Sequence, residues 1–135
     1  TAGMHRMIRE SITYARNRRT FGKPLMDNQV IRQKIAMMAM KTEAQFALVE
    51  QLAYFMEHKV PDADVAARIA LCKVNGTQAL EYCAREASQI LGGNSYAREG
   101  VGNRVERLYR EVRVAAIGGG SEEIMLDFAI RSSRI

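Results

Sequence analysis

Two prolines in 135 residues leave the chain few enforced breaks, and only two cysteines and two histidines limit its covalent and metal chemistry. Cys72 and Cys83 fall eleven residues apart in one predicted helix. They share a face but stand about 16 Å apart along the axis, too far for a disulfide, so reduced core thiols are expected. That is the usage of a cytoplasmic protein, or of a mitochondrial matrix protein in a eukaryote. His5 and His58 stand isolated, without the repeated ligand spacing of a metal centre, so no metal is expected. Long apolar runs are missing too. The longest, Ile35 to Met40, is far too short for a helix to cross a bilayer, and no membrane partner is expected. The first residues lack the charged and apolar blocks of a signal peptide, an expectation against secretion.

What is present favours helix. The chain is 47% hydrophobic and 26% charged, carries eight methionines and many alanines, and has few β-branched runs. A 15.2 kDa chain of this composition is expected to form one soluble domain over residues 1–135. Fifteen of the twenty basic residues are arginine and the formal charge is +5. Guanidinium pairs bidentately with carboxylates and phosphates, so anionic partners and internal ion pairs are both open.

Taken in order, Met4, Met7, Ile8, Ser11, Ile12 and Ala15 recur at helical spacing from Thr1 to Arg18, and the pattern starts without a cap. A first helix that continues upstream, in a fragment of a longer chain, is expected. Gly22 and Pro24 break it, and Phe21 in that break is an apolar side chain in want of a pocket. Asp27 or Asn28 caps a second helix to about Lys59, with a wide stripe through Val30, Ile31, Ile35, Met38, Ala44, Leu48, Leu52 and Phe55. Val60 to Asp64 reads as a turn. A third helix follows to about Leu91, through Val65, Ile69, Cys72, Ala79, Leu80, Cys83, Ala87 and Ile90, and its internal Gly76 suggests a close helix contact. Gly92 to Ser95 end it with residues suited to left-handed backbone. A shorter helix around Val105 to Val112 precedes a glycine hinge, Ile117 to Ile124 (IGGGSEEI), and an amphipathic segment runs on to Ile135. Ser121 caps that last segment, and Glu122 and Glu123 complement its positive end.

Long helices joined by short turns predict an all-α, up-down four-helix bundle with a short extra helix. The hinge offers two alternatives. Read as a dinucleotide turn it fails, because Glu123 takes the third glycine position and twelve residues are too few for a second strand. Read as a phosphate loop it fails for want of a Gly-Lys-Ser/Thr.

Four stretches resemble the C-terminal helical domain of the acyl-CoA dehydrogenase family: Tyr14 to Leu25 (YARNRRTFGKPL) followed by Gln29, Ala87 to Tyr96 (ASQILGGNSY), Val105 to Arg113 (VERLYREVR), and the hinge with its following helix. They occur in the family's order and spacing across essentially the whole chain. The resemblance implies part of an FAD-dependent oxidoreductase of fatty acid metabolism that α,β-dehydrogenates an acyl-CoA thioester. Arg18 falls where relatives contact the flavin dinucleotide's pyrophosphate, with Thr20 and Phe21 beside it and Gln29 nearby. Gln89, Gly92 and Gly93 match the segment that accepts the adenosine part of a flavin bound mainly to the neighbouring subunit. Ser121 and Glu123 match a Thr-Ser-Glu stretch that also touches cofactor, and Gly119 and Gly120 lie next to substrate. Implied partners are acyl-CoA, a second copy of the chain in a homodimer or homotetramer, and an electron-transfer flavoprotein.

The chain departs from the family in one telling place. Many relatives read Ile-Tyr-Glu-Gly-Thr-Ser-Glu-Ile, with the first glutamate as the base that removes the α-proton, and Gly119 stands at that position. Two explanations are open: a base supplied from upstream of Thr1, as in the long-chain and isovaleryl branch, or a homologue without dehydrogenation. Glu122 and Glu123 align downstream of the base. Ser95 replaces an expected glycine, and Glu111 an expected aspartate. The isolated chain is expected to be inactive. The competing readings are nucleic-acid binding through Arg16, Arg18, Arg19, Arg104, Arg107, Arg110 and Arg113, and a purely structural assembly module. Glu99, Glu106 and Glu111, interleaved with these arginines, point instead to ion pairing.

Overall fold

The computed structural model describes residues 1–132. Five helices carry the fold: α1 (Ala2–Asn17), α2 (Gln29–Glu57), α3 (Asp62–Leu91), α4 (Asn103–Ile117) and α5 (Glu122–Ser132). The expected four-helix arrangement with a short extra helix is what the structure shows. The end of the last segment, at Ile135, lies outside the described residues.

α3 is the central helix and packs against each of the other four. Its buried positions explain why. Ala67, Ala70, Ala79, Ala84 and Ala87 are small, so neighbouring helices approach closely on several sides at once. Met7 and Met38 fill the irregular spaces that alanines leave, and the main core joins them to Met4, Cys83, Ile90, Leu91 and Val105. Separate clusters form under Leu52, Val65 and Cys72, and where Ala129 of α5 meets Ala67 and Ala70.

Several expectations change in detail. The break after α1 is a miniature antiparallel hairpin, β1 (Arg19–Thr20) with β2 (Lys23–Pro24), turned by Phe21 at φ 50° and Gly22 at φ 78°. Positive φ at both central residues is what a two-residue hairpin turn requires. Phe21 is fully exposed at its tip, so this chain supplies no pocket for it. Asn28 caps α2, its Oδ1 accepting from the Val30 N–H at 3.0 Å. Val30 and Ala44, expected in the α2 stripe, face outward, as does Ile69 on α3. α3 begins at Asp62 rather than beyond Asp64: Pro61 precedes it, and both aspartates sit in its first turn, facing the positive end of the helix. At the other end only Gly92 takes positive φ, at 58°; Gly93, Asn94 and Ser95 continue as a 3-10 turn. α4 is longer than the expected Val105 to Val112, because Val114 to Ile117 continue its helix.

Polar groups inside the bundle are mostly tied. Gln45 Nε2 donates to the Cys72 carbonyl at 3.2 Å, and Asn75 Nδ2 donates to Gln45 Oε1 at 2.6 Å. Gly76 is the place where this amide passes: a Cβ there would lie 2.9 Å from Gln45 Nε2. The close contact expected at Gly76 is therefore with a side chain of α2. Glu86, 4% exposed, pairs with Lys34 of α2 and with Arg85. Burial pushes the Cys83 thiol upward, which keeps it protonated and inert. Among the described residues Ser11 Oγ is the exception, buried with no hydrogen-bond partner.

These contacts set the expected response to substitution. Ser11→Ala removes an unsatisfied hydroxyl and is expected to stabilise the protein by about 1 kcal/mol in urea unfolding. Gly102→Ala places a Cβ inside the Asn94 carbonyl and against Ser95 N, a backbone that cannot yield, and should cost about 3 kcal/mol. Gly93→Ala, with open space and negative φ, should change stability by less than about 1 kcal/mol, and equal losses at Gly93 and Gly102 would contradict the packing described.

Candidate functional site

Arg18 ends α1. Its N–H donates to the Tyr14 carbonyl at 2.8 Å and its own carbonyl accepts from the Leu25 N–H at 2.7 Å, so the hairpin folds back onto the helix end. The two adjacent guanidiniums then divide. Arg19 Nη1 donates to the Gly22 carbonyl at 3.1 Å and braces the turn. Arg18, exposed, makes no ion pair among the described residues.

The end of α3 reaches the same place. Asn94, next after Gly93, donates from Nδ2 to Tyr14 Oη at 3.0 Å. Asn94 and Arg18 line one cleft of about 590 Å³, together with Tyr14, Asn17, Val101 and Arg104. Its size suits a nucleotide-like ligand. Ser95, standing where a glycine is expected, fits by turning inward: its Oγ donates to the Gly92 carbonyl at 2.8 Å and shares a 2.8 Å hydrogen bond with Ser88 Oγ. The substitution holds the bend instead of blocking it. Gly92 and Gly93 are exposed, and a Cβ at either would meet nothing within 4 Å. Their bare surface is open to an outside ligand. Gln89, Thr20, Phe21 and Gln29 lie on the neighbouring elements without lining this cleft: Gln89, Phe21 and Gln29 are exposed, and Thr20 is half-buried.

The hinge is elsewhere. It touches α3 at Lys73, sixteen residues before Gln89, so the hinge and Gln89 stand about 24 Å apart along that helix. Gly119 and Gly120 have φ of 72° and 108°, backbone that favours glycine. A Cβ on Gly119 would project into open space, whereas one on Gly120 would lie 2.6 Å from Met125 Sδ. The bend is anchored at both ends. Lys73 Nζ donates to the Ala116 carbonyl at 2.7 Å and the Gly120 carbonyl at 2.5 Å. Glu122 accepts from Thr77 Oγ1 at 3.3 Å and Gln78 Nε2 at 3.2 Å. The Ser121 carbonyl accepts the Met125 N–H at 3.0 Å, opening α5. Glu123 is exposed, and hydrogen bonds from its own N–H and from the Ser121 hydroxyl hold its carboxyl below the usual glutamate range.

Sequence reasoning missed Lys73. The signal was slight: Lys73 falls between Ala70 and Thr77, both buried, at the three- to four-residue spacing of one helix face, where a charge needs a partner. The arginine row on α4 is paired throughout: Arg104 with Glu10 at 2.8 Å, Arg107 with Glu111 at 3.0 Å, Arg110 with Glu106 at 2.9 Å, and Arg113 with Glu81 at 3.4 Å. No cluster able to hold a metal ion occurs among the described residues, and no helix there is long and apolar enough to cross a membrane.

The sequence pattern of the family described as "Acyl-CoA dehydrogenase, C-terminal domain" matches residues 1–133. An acyl-CoA dehydrogenase of Alternaria alternata, AFT10-1, is 39% identical over 128 residues, covering 91% of this chain and 30% of that protein. Acyl-CoA dehydrogenase apdG of Emericella nidulans is 35% identical over 124 residues, covering 90% of this chain and 28% of that one. The butyryl-CoA dehydrogenase structure from Megasphaera elsdenii superposes with a TM-score of 0.88 at 28% identity, over 96% of this chain and 32% of that chain. The chain thus spans about 30% of the length of the curated relatives it matches. By sequence pattern, identity and fold, it belongs to the acyl-CoA dehydrogenase family and corresponds to that family's C-terminal helical domain.

Proposed function

We propose that this chain is the domain through which an FAD-dependent acyl-CoA dehydrogenase grips its cofactor and assembles into at least a dimer. The observation that carries this is the convergence of the Arg18 guanidinium, unpaired among the described residues, with Asn94, beside the exposed Gly92–Gly93 bend, on one cleft. These residues fit a flavin dinucleotide. Arg18 offers two parallel donors to a pyrophosphate and stays charged, while the bare glycine main chain admits close approach. Thr20, Phe21, Gln29 and Gln89 would extend the contact across neighbouring elements, and the exposed Phe21 would find its pocket in a second subunit. The hinge, with Gly119, Gly120, Ser121 and Glu123, stands about 24 Å along α3 from Gln89, a separation that suits contact with two different flavins in an oligomer.

The bound FAD would accept the β-hydride of the acyl-CoA, and electrons would pass on to an acceptor such as an electron-transfer flavoprotein. The α-proton needs a carboxylate that is both ionised and basic. Neither hinge glutamate meets that requirement, because Glu122 is occupied by Thr77 and Gln78, and Glu123 is made more acidic by its hydrogen bonds. On this reading the base would be a carboxylate supplied from outside the hinge, upstream of Thr1 in the full-length parent, and the chain alone would not turn over. Gly119 favours a second reading, a family member without dehydrogenation that serves as an assembly module. Nucleic-acid binding is disfavoured because the four α4 guanidiniums already have carboxylate partners. A cytoplasmic or mitochondrial-matrix setting goes with this reading.

In the full-length protein, Arg18→Ala is expected to weaken FAD binding about 10- to 100-fold, the loss of a charge-assisted pair, read as flavin-to-protein absorbance after dialysis. Undiminished flavin would overturn the assignment, and a flavin-loaded parent that no acyl-CoA bleaches would select the second reading. A pH prediction concerns Glu123. With its folded pKa lowered, its contribution to stability is complete above the ordinary value of 4.5 and is lost as pH falls through the lower folded value. A carboxyl NMR titration should place its midpoint below 4.5, and Ser121→Ala should move it up; a midpoint above 4.5 would restore Glu123 as a candidate base.

A further inference from the structure

The hinge is built from residues that by themselves would hold no fixed shape, yet if it borders flavin and substrate as proposed above, its main chain must be placed to within about 0.5 Å. We infer that Lys73 is a positioning residue for the reaction, fixing the hinge backbone by donating to the carbonyls at its two sides. The inference rests on the dehydrogenase reading above and goes beyond it.

The geometry is specific. Lys73 projects from the middle of α3, the most heavily packed helix, and its ammonium spans the bend by reaching Ala116 O at the end of α4 and Gly120 O just before α5. These carbonyls enclose Ile117, Gly118 and Gly119, so one side chain closes the loop like a clasp. Ala116 O lies in the last turn of α4, where carbonyls lack intrahelical donors and the helix end is negative, so a lysine there serves both needs. The Gly118 N–H donates to the Val114 carbonyl at 2.8 Å and finishes the helix. Beyond it, Gly119 and Gly120 take positive φ, and Gly120 packs against Met125. Four residues after Lys73, Thr77 joins Gln78 in holding Glu122, so consecutive turns of α3 secure the two sides of the bend. Of the side-chain anchors among the described residues, Lys73 is the one that grips the glycine main chain itself, at the Gly120 carbonyl. An alkyl side chain of the same length fills the space without holding the carbonyls, whereas arginine can donate to both.

The test uses the full-length protein with Lys73→Met and Lys73→Arg, read by hydrogen-exchange mass spectrometry over residues 116–123 and by steady-state turnover with acyl-CoA. Lys73→Met is expected to speed exchange in that peptide about tenfold and to lower kcat about 10- to 100-fold with KM little changed. Lys73→Arg should keep both within about threefold of wild type, a rescue that a space-filling role would not show. Unchanged exchange in Lys73→Met overturns the inference, as does faster exchange with undiminished kcat. If Lys73→Met does not fold, Lys73→Gln, too short to reach both carbonyls, is read by the same criteria. The two readings separate cleanly. A wild-type parent inactive with every acyl-CoA removes the dehydrogenase assignment and the positioning role with it, even where exchange responds at residue 73; an active parent indifferent to residue 73 removes the positioning role alone.

Discussion

The structure depends on how closely α3 lets its neighbours approach. A helix that touches four others cannot carry large side chains on every face, and the buried alanines of α3 meet that limit while methionines of α1 and α2 fill what remains. Close approach narrows the space for polar groups, so those that enter must be bonded. Gln45 satisfies its amide on Cys72 and Asn75 where Gly76 leaves room for it. Glu86 is buried only with cations beside it, since an unpaired carboxylate there would be strongly destabilising.

The same helix organises both candidate half-sites. Its C-terminal end stops at Gly92, and the turn that follows brings Asn94 to Tyr14 and so to Arg18. Its middle supplies Lys73, Thr77 and Gln78 to the hinge. Because these lie along one rigid rod, the distance between them is set by the helical rise and does not vary with loop motion.

Periodic segments were the legible part of the sequence. Met4, Met7, Ser11 and Ala15 announce the buried face of α1, and Asn28 announces the start of α2, because spacing and capping are local properties. Boundaries were less legible where two local preferences competed. Val112 to Ile117 is rich in apolar residues of either habit, and its packing beside α3 selects helix. Asp62 and Asp64 favour turns, yet placed after Pro61 they serve better against the positive end of α3. Within the candidate site, Arg18, Gly92, Gly93 and the hinge glycines stood out through the family resemblance. Tyr14, Asn94 and Arg104 did not, because the cleft joins residues from opposite ends of the chain.

By itself the sequence determined the helical class and the number of long helices, which follow from composition and periodicity, and four short motifs carried the resemblance to its family. Only the tertiary structure decided which charges are spoken for. Arg18 and Arg19 are neighbours with the same guanidinium, and one is tied to Gly22 while the other is open to a ligand. Lys73 looks like any helical lysine until α4 and α5 bring two carbonyls to it. Whether a polar group is structural or available depends on its partners, and partners distant in sequence are chosen by packing.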